Sequence, residues 1–124
     1  MIELSCFLIV VPSKAPDGFT VTAKTSSSIT ASWQLPPADD RNGIIRGFKL
    51  FYKKNDSSES QTVKTINNGS IWNKVVTGLH KYTEYEFQVL AYTSVGDGPK
   101  SSKKFERTKE DGKKLITTLY VVQY

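Results

Sequence analysis

Apolar residues fall at every second position along short runs, and turn residues close each run. In the clearest, Glu84–Tyr92, the residues Tyr85, Phe87, Val89 and Ala91 are separated by Glu86, Gln88 and Leu90. Successive side chains of a strand point to opposite faces, so this pattern buries one face and leaves the other to solvent or a partner. Phe19, Val21 and Ala23 repeat it, as do Ile29, Ala31 and Trp33, and then Phe48, Leu50 and Tyr52. Two polar runs, 60–66 and 70–76, and a last edge-like run around Phe105 bring the total to seven. Seven short strands at such spacing argue for an all-β sandwich. No stretch carries an apolar stripe of helical period.

The connections agree with that reading. Residues 34–43 contain adjacent prolines, Pro36 and Pro37, and an Asn42-Gly43 pair, so they cannot continue a central strand. Residues 54–60 and 67–70 are polar loops. Gly96-Asp97-Gly98-Pro99 combines glycines that tolerate positive φ with a proline that ends pairing. The chain's 124 residues fit one domain. A domain of roughly 150 residues buries about 70% of its unfolded surface, so a core of this size needs neither metal nor disulfide. The single cysteine, Cys6, has no partner within the chain.

The N-terminal stretch has an apolar run, Cys6–Val11, well short of the ~20 residues of a membrane helix. It carries Glu3 and lacks both a basic leader region and a small-residue cleavage site. Residues 1–14 read as a linker or an added segment, with a degenerate signal sequence as the other reading. The domain then occupies 15–108, and 109–124 form a tail, charged to Lys114 and apolar and β-prone from Leu115 to Tyr124.

Several motifs stand together in order. Pro16 precedes the first strand and Trp33 ends the second. "NGIIRGFKLFY" (42–52) resembles N-G-x-I-x-G-Y-x-V-x-Y, "LHKYTEYEFQVLA" (79–91) resembles L-x-P-x-T-x-Y-x-F-x-V-x-A, and "GDGPKS" (96–101) resembles G-x-G-P-x-S. In this order and spacing the stretch from Pro16 to Thr108 resembles a fibronectin type III domain. The similarity extends to repeats of cell-surface adhesion and guidance receptors of the neogenin and sidekick kind. The resemblance implies a seven-stranded antiparallel immunoglobulin-like sandwich that needs no disulfide. A true immunoglobulin domain would carry a Cys…Trp…Cys arrangement, and no cysteine follows Trp33.

The resemblance also implies roles. Trp33 fills the centre between the sheets, with Tyr52 on the inward face of the third strand. Tyr85 is the tyrosine-corner residue, its hydroxyl bonded to backbone near Leu79 or His80, and Leu79 plugs the sandwich end. Two positions depart from the family pattern. Lys81 replaces a proline, which loosens that corner. Lys74 replaces an apolar residue, and Trp72 shares its parity, so the register of the 70–76 run stays open between a regular strand and a bulge.

Chemistry finds little to build on. His80 is the only histidine and sits in a turn with no recognisable partnered nucleophile. Cys6 and His80 cannot furnish the four ligands of a zinc site. Asp39 and Asp40 are adjacent, but two carboxylates fall short of the six to eight oxygens calcium takes. The 96–99 turn lacks the Gly-Lys-Ser/Thr of a phosphate loop. The chain therefore reads as non-enzymatic, with no cofactor, no metal, no nucleic-acid partner and no direct membrane insertion.

The surface offers three features. Asn55 and Asn68 head N-x-S sequons in loops, which points to an extracellular glycoprotein. Phe51, Leu90 and Tyr92 project from the outer face of the sheet holding the third and sixth strands; they form either a protein-binding patch or scattered surface apolars, or are covered by a neighbouring domain or the C-terminal tail. Lys100, Lys103, Lys104 and Arg107 are candidates for binding heparan sulfate, the alternative being edge-strand charges that block aggregation. A net charge of +5 is otherwise that of a solvated surface. The implied function is a spacer and protein-binding module in the extracellular part of a cell-surface membrane protein. Its partners would be other proteins and neighbouring domains of the same receptor. The alternative is an intracellular structural repeat of a muscle or cytoskeletal protein.

Overall fold

A computed structural model describes residues 11–110. The proposed features at Cys6 and along the tail from 111 to 124 lie outside the described residues. Seven strands follow in order: β1 (Asp17–Thr25), β2 (Ser28–Gln34), β3 (Gly47–Lys54), β4 (Thr62–Ile66), β5 (Asn73–Val76), β6 (Glu84–Tyr92) and β7 (Lys104–Arg107). One 3-10 turn, Ala38–Asp40, interrupts the loop after β2. All pairings are antiparallel and form two sheets, β1-β2-β5 and β4-β3-β6-β7.

The period-two pattern is what joins the sheets. Phe19, Ile29, Ala31 and Trp33 face inward from the first sheet, and Phe48, Leu50, Phe87, Val89 and Ala91 from the second. Trp33 is 1% exposed, and its ring lies 5.4 Å from that of Phe48 at 56°, a tilted aromatic contact. Tyr52 stacks on Phe87 with centroids 5.8 Å apart. Burial, and then the neighbouring Tyr85, push the Tyr52 phenol above its ordinary pKa.

β5 pairs with β2 in unbroken register, Ile29 to Val76, Ala31 to Lys74, Ser32 to Asn73. Lys74 thus shares the parity of buried Val76 yet is exposed, on the strand that ends its sheet. The register shifts fall instead in β1, between Asp17 and Thr20 and between Ala23 and Thr25. The first contains Gly18 at φ 59°, a left-handed conformation that glycine adopts without steric cost.

The turn before β6 is tied at both peptide groups of His80. Its N–H donates to the Tyr85 hydroxyl at 2.9 Å, and its carbonyl accepts from Thr108 Oγ1 at 2.6 Å. Thr108 is 1% exposed; its N–H donates to the Thr83 carbonyl at 3.0 Å, and its Oγ1 accepts from the Thr83 N–H at 2.9 Å. Tyr82, at φ 46°, sits in the left-handed region disfavoured for a bulky residue. Arg107 donates to its carbonyl at 3.1 Å and stands 5.0 Å over its ring. Leu79 closes the core beneath this turn at 8% exposure.

At the opposite end the chain enters along the domain. Pro12 is buried, the Val11 carbonyl accepts from Asn42 Nδ2 at 3.0 Å, and the Ser13 N–H donates to the Asp40 carbonyl at 2.9 Å. A Cβ on Gly98 would press into Pro12, so the absence of a side chain there lets the two segments meet.

Trp33→Ala should lower unfolding free energy by ~3–5 kcal/mol in urea titration, the cost of an unfilled cavity at a large aromatic site. Tyr85→Phe should cost about 1–3 kcal/mol by stranding the His80 N–H, and Thr108→Val at least as much, because it strands both the His80 carbonyl and the Thr83 N–H. Their double variant should depart from additivity by at least ~0.5 kcal/mol, because both act on one network. Since the folded state favours the neutral Tyr52 phenol, its contribution is complete below the ordinary tyrosine pKa. That contribution is lost as pH rises through the raised one. Urea midpoints followed into alkaline pH should fall less steeply for Tyr52→Phe than for the parent chain.

Candidate interaction surface

The outer face of the four-stranded sheet is built by β3 and β6, whose register sets Gly47 against Tyr92, Lys49 against Leu90, Phe51 against Gln88 and Lys53 against Glu86. Inward residues of these strands are consumed by the core, so their neighbours in sequence are delivered outward. Phe51 and Tyr92 lie there half-buried.

Leu90 corrects the sequence reading: it is 4% exposed and contributes no open apolar surface. The segment after β6 returns alongside it. Asp97 forms a bridge with Tyr92, the Gly98 N–H donates to the Ala91 carbonyl at 2.8 Å, and the Ser101 N–H donates to the Val89 carbonyl at 2.8 Å. Residues 97–101 therefore run beside β6 on either side of Leu90, where alternation alone would leave it open.

What the face presents is two aromatic rings under two lysines. Lys100 Nζ stands 4.1 Å above the Phe51 ring and donates to Gln61 Oε1 at 3.0 Å. Gln61 donates in turn to Gln88 Oε1 at 3.0 Å, and Gln88 to the Ser101 carbonyl at 2.9 Å. Lys49 pairs with Asp97 at 3.0 Å and stands 5.8 Å from the Tyr92 centroid. Tyr92 donates to Asn67 Oδ1 at 2.7 Å, and its ring crosses Gly47, where a Cβ would collide with it and with the Ile66 carbonyl. A cation over an aromatic face is worth about 0.5–1 kcal/mol at exposed sites, enough to order each lysine without removing it from reach.

Glu86, on the same face, is 4% exposed, set between Lys53 and Phe105 in register. Lys103 pairs with it at 3.5 Å. The basic stretch does not converge. Lys100 is held over Phe51, Lys103 turns to Glu86, Arg107 is held at Tyr82, and Lys104 stands exposed on β7. On that strand Glu106 reaches across to the first sheet and accepts from the Ala23 N–H at 2.8 Å.

Gln61, Asn67 and Asp97 escape a reading by periodicity. All three come from outside the strands, and only the fold brings them to this face, where they meet Gln88, Tyr92 and Lys49. Among the described residues no group of three or more His, Cys, Asp or Glu could hold a metal ion, and no helix is long and apolar enough to cross a membrane. His80 is exposed, and its described bonds are backbone ones.

The sequons differ. Asn55 is half-buried and its Nδ2 donates to Glu84 Oε1 at 2.7 Å. Asn68 is exposed, and its Oδ1 accepts from the Ser70 N–H at 2.8 Å.

Comparison with known proteins fits this architecture. Mouse protein sidekick-2 is 41% identical over 102 residues, covering 82% of this chain and 5% of that protein. The Drosophila cell adhesion molecule Dscam2 is 38% identical over 103 residues, with the same coverage. The chain thus spans about a twentieth of the length of these relatives. The solution structure of the third fibronectin III domain of human KIAA0343 protein superposes with a TM-score of 0.74 at 24% identity, covering 82% of this chain and 86% of that one. The fibronectin type III domain model matches residues 14–108. With that match spanning the whole two-sheet unit, the chain belongs to the fibronectin type III family.

Proposed function

We propose that this chain is a non-catalytic, extracellular module of a cell-surface adhesion or guidance receptor. It spaces neighbouring domains and offers the outer face of the β4-β3-β6-β7 sheet to a protein partner. Relatives that are adhesion molecules support the receptor setting. The observation that carries the contact surface is the pair of half-buried rings, Phe51 and Tyr92, each under a lysine. Aromatic side chains flanked by cations are the groups that dominate protein contacts, since they bury large area with few rotamers lost. Lys49 and Lys100 favour a partner surface bearing carboxylates.

The protein displayed on cells should be labelled by a membrane-impermeant biotin reagent. Protection in intact cells with labelling only after lysis would instead indicate the intracellular structural repeat. In cell-aggregation assays, Phe51→Ser combined with Lys100→Glu should reduce aggregation at least ~10-fold at equal surface level, the loss of ~1.4 kcal/mol or more at a contact hot spot. The thermal midpoint should move little, because both side chains lie outside the core. Unchanged aggregation at equal surface level would remove this face as the contact surface.

A further inference from the structure

We infer that Asn68 is the acceptor of an N-linked oligosaccharide and that Asn55, although it heads an equally valid sequon, is not. The inference rests on the extracellular reading above and separates two motifs that the sequence presents as equals.

The two acceptors sit in opposite environments. Asn55 is anchored twice to β6, its N–H donating to the Glu84 carbonyl at 2.9 Å and its Nδ2 to Glu84 Oε1 at 2.7 Å. Its hydroxyl partner Ser57 is half-buried and accepts from the Glu59 N–H at 2.9 Å. A sugar on that nitrogen would be pressed against β6 and would displace the Glu84 contact. Asn68 and Ser70 are both exposed, and Asn68 uses only its oxygen, as acceptor of the Ser70 N–H at 2.8 Å. This turn leaves Nδ2 without a partner among the described residues and directed away from the bond its oxygen makes. Gly69, between them, is held close against the Ile45 carbonyl, so the loop is fixed to the body and the acceptor stands outward from it.

Position gives the modification a consequence. The 67–72 loop crosses from β4 to β5, and each of those strands ends its sheet. Ile71 and Trp72, 43% and 38% exposed, stand in the same loop. A bulky hydrophilic group at Asn68 would cover these side chains and the side of the sandwich where both sheets offer unpaired backbone.

The transfer forms a bond from Asn68 Nδ2 to the anomeric carbon of the sugar. The bond from that carbon to a lipid-linked pyrophosphate donor breaks, the lipid pyrophosphate leaves with the electron pair, and the amide gives up one proton to solvent.

The test drives the 124-residue chain through the secretory pathway of eukaryotic cells behind an appended leader. The parent chain and Asn55→Gln should each show one mobility shift removed by an amidase specific for N-glycans, and Asn68→Gln none. Ser70→Ala should also lose the shift while keeping the Asn68 turn, and Ser70→Thr should retain it. Peptide mapping after deglycosylation should find aspartate at 68 and asparagine at 55. A secreted chain bearing sugar on Asn55, or none on Asn68, overturns the inference. The biotin labelling of the native protein bears on location alone, so failure of the extracellular reading is seen separately.

Discussion

The burial of the Trp33 indole against Phe48 is the contact on which the two-sheet arrangement depends. The ring spans the gap between a three-stranded and a four-stranded layer and leaves 1% of its surface to solvent. Its Nε1 has no hydrogen-bond partner among the described residues. An unmade bond of that kind costs about 1–3 kcal/mol, whereas emptying a site of this size costs ~3–5 kcal/mol. Packing therefore outweighs the polar penalty, and an indole is tolerated where its own N–H goes unanswered. Its backbone N–H is answered, by the Trp72 carbonyl at 2.9 Å, which also locates the start of β5.

From that centre the rest follows by parity. Each side chain committed to the core forces its neighbour outward, so the packing of Phe48, Leu50, Phe87 and Val89 also delivers Lys49, Phe51, Glu86 and Gln88 to the opposite face. The outer face is then finished by segments that belong to no strand of the sheet. Gln61 ties Lys100 to Gln88, and Asp97 holds Lys49. A surface of this kind is ordered by its own side-chain network while its rings stay half exposed.

Much of this was legible without coordinates. Seven short runs gave the layers; within them Trp33 and Leu79 are buried, and the Tyr85 hydroxyl accepts from the His80 N–H. Leu90 was misjudged because alternation assigns a face and is silent about what covers it; residues 97–101 run beside β6 at that point. Thr108 was missed for a related reason. Its hydroxyl matters only because the end of β7 returns to the turn before β6, a contact 28 residues apart in sequence. The two sequons looked equivalent because a three-residue motif carries no information about Glu84, which holds one acceptor and not the other.

The sequence by itself determined which side chains go in and which go out, since a strand's period of two is a local property of the backbone. Turn residues, likewise local, set where each strand stops. Tertiary structure alone decided which outward residues meet, which are covered and which stay open. Those outcomes depend on pairings between segments tens of residues apart, and the free energy of a side chain in such a place is set by neighbours that its own stretch of chain does not encode.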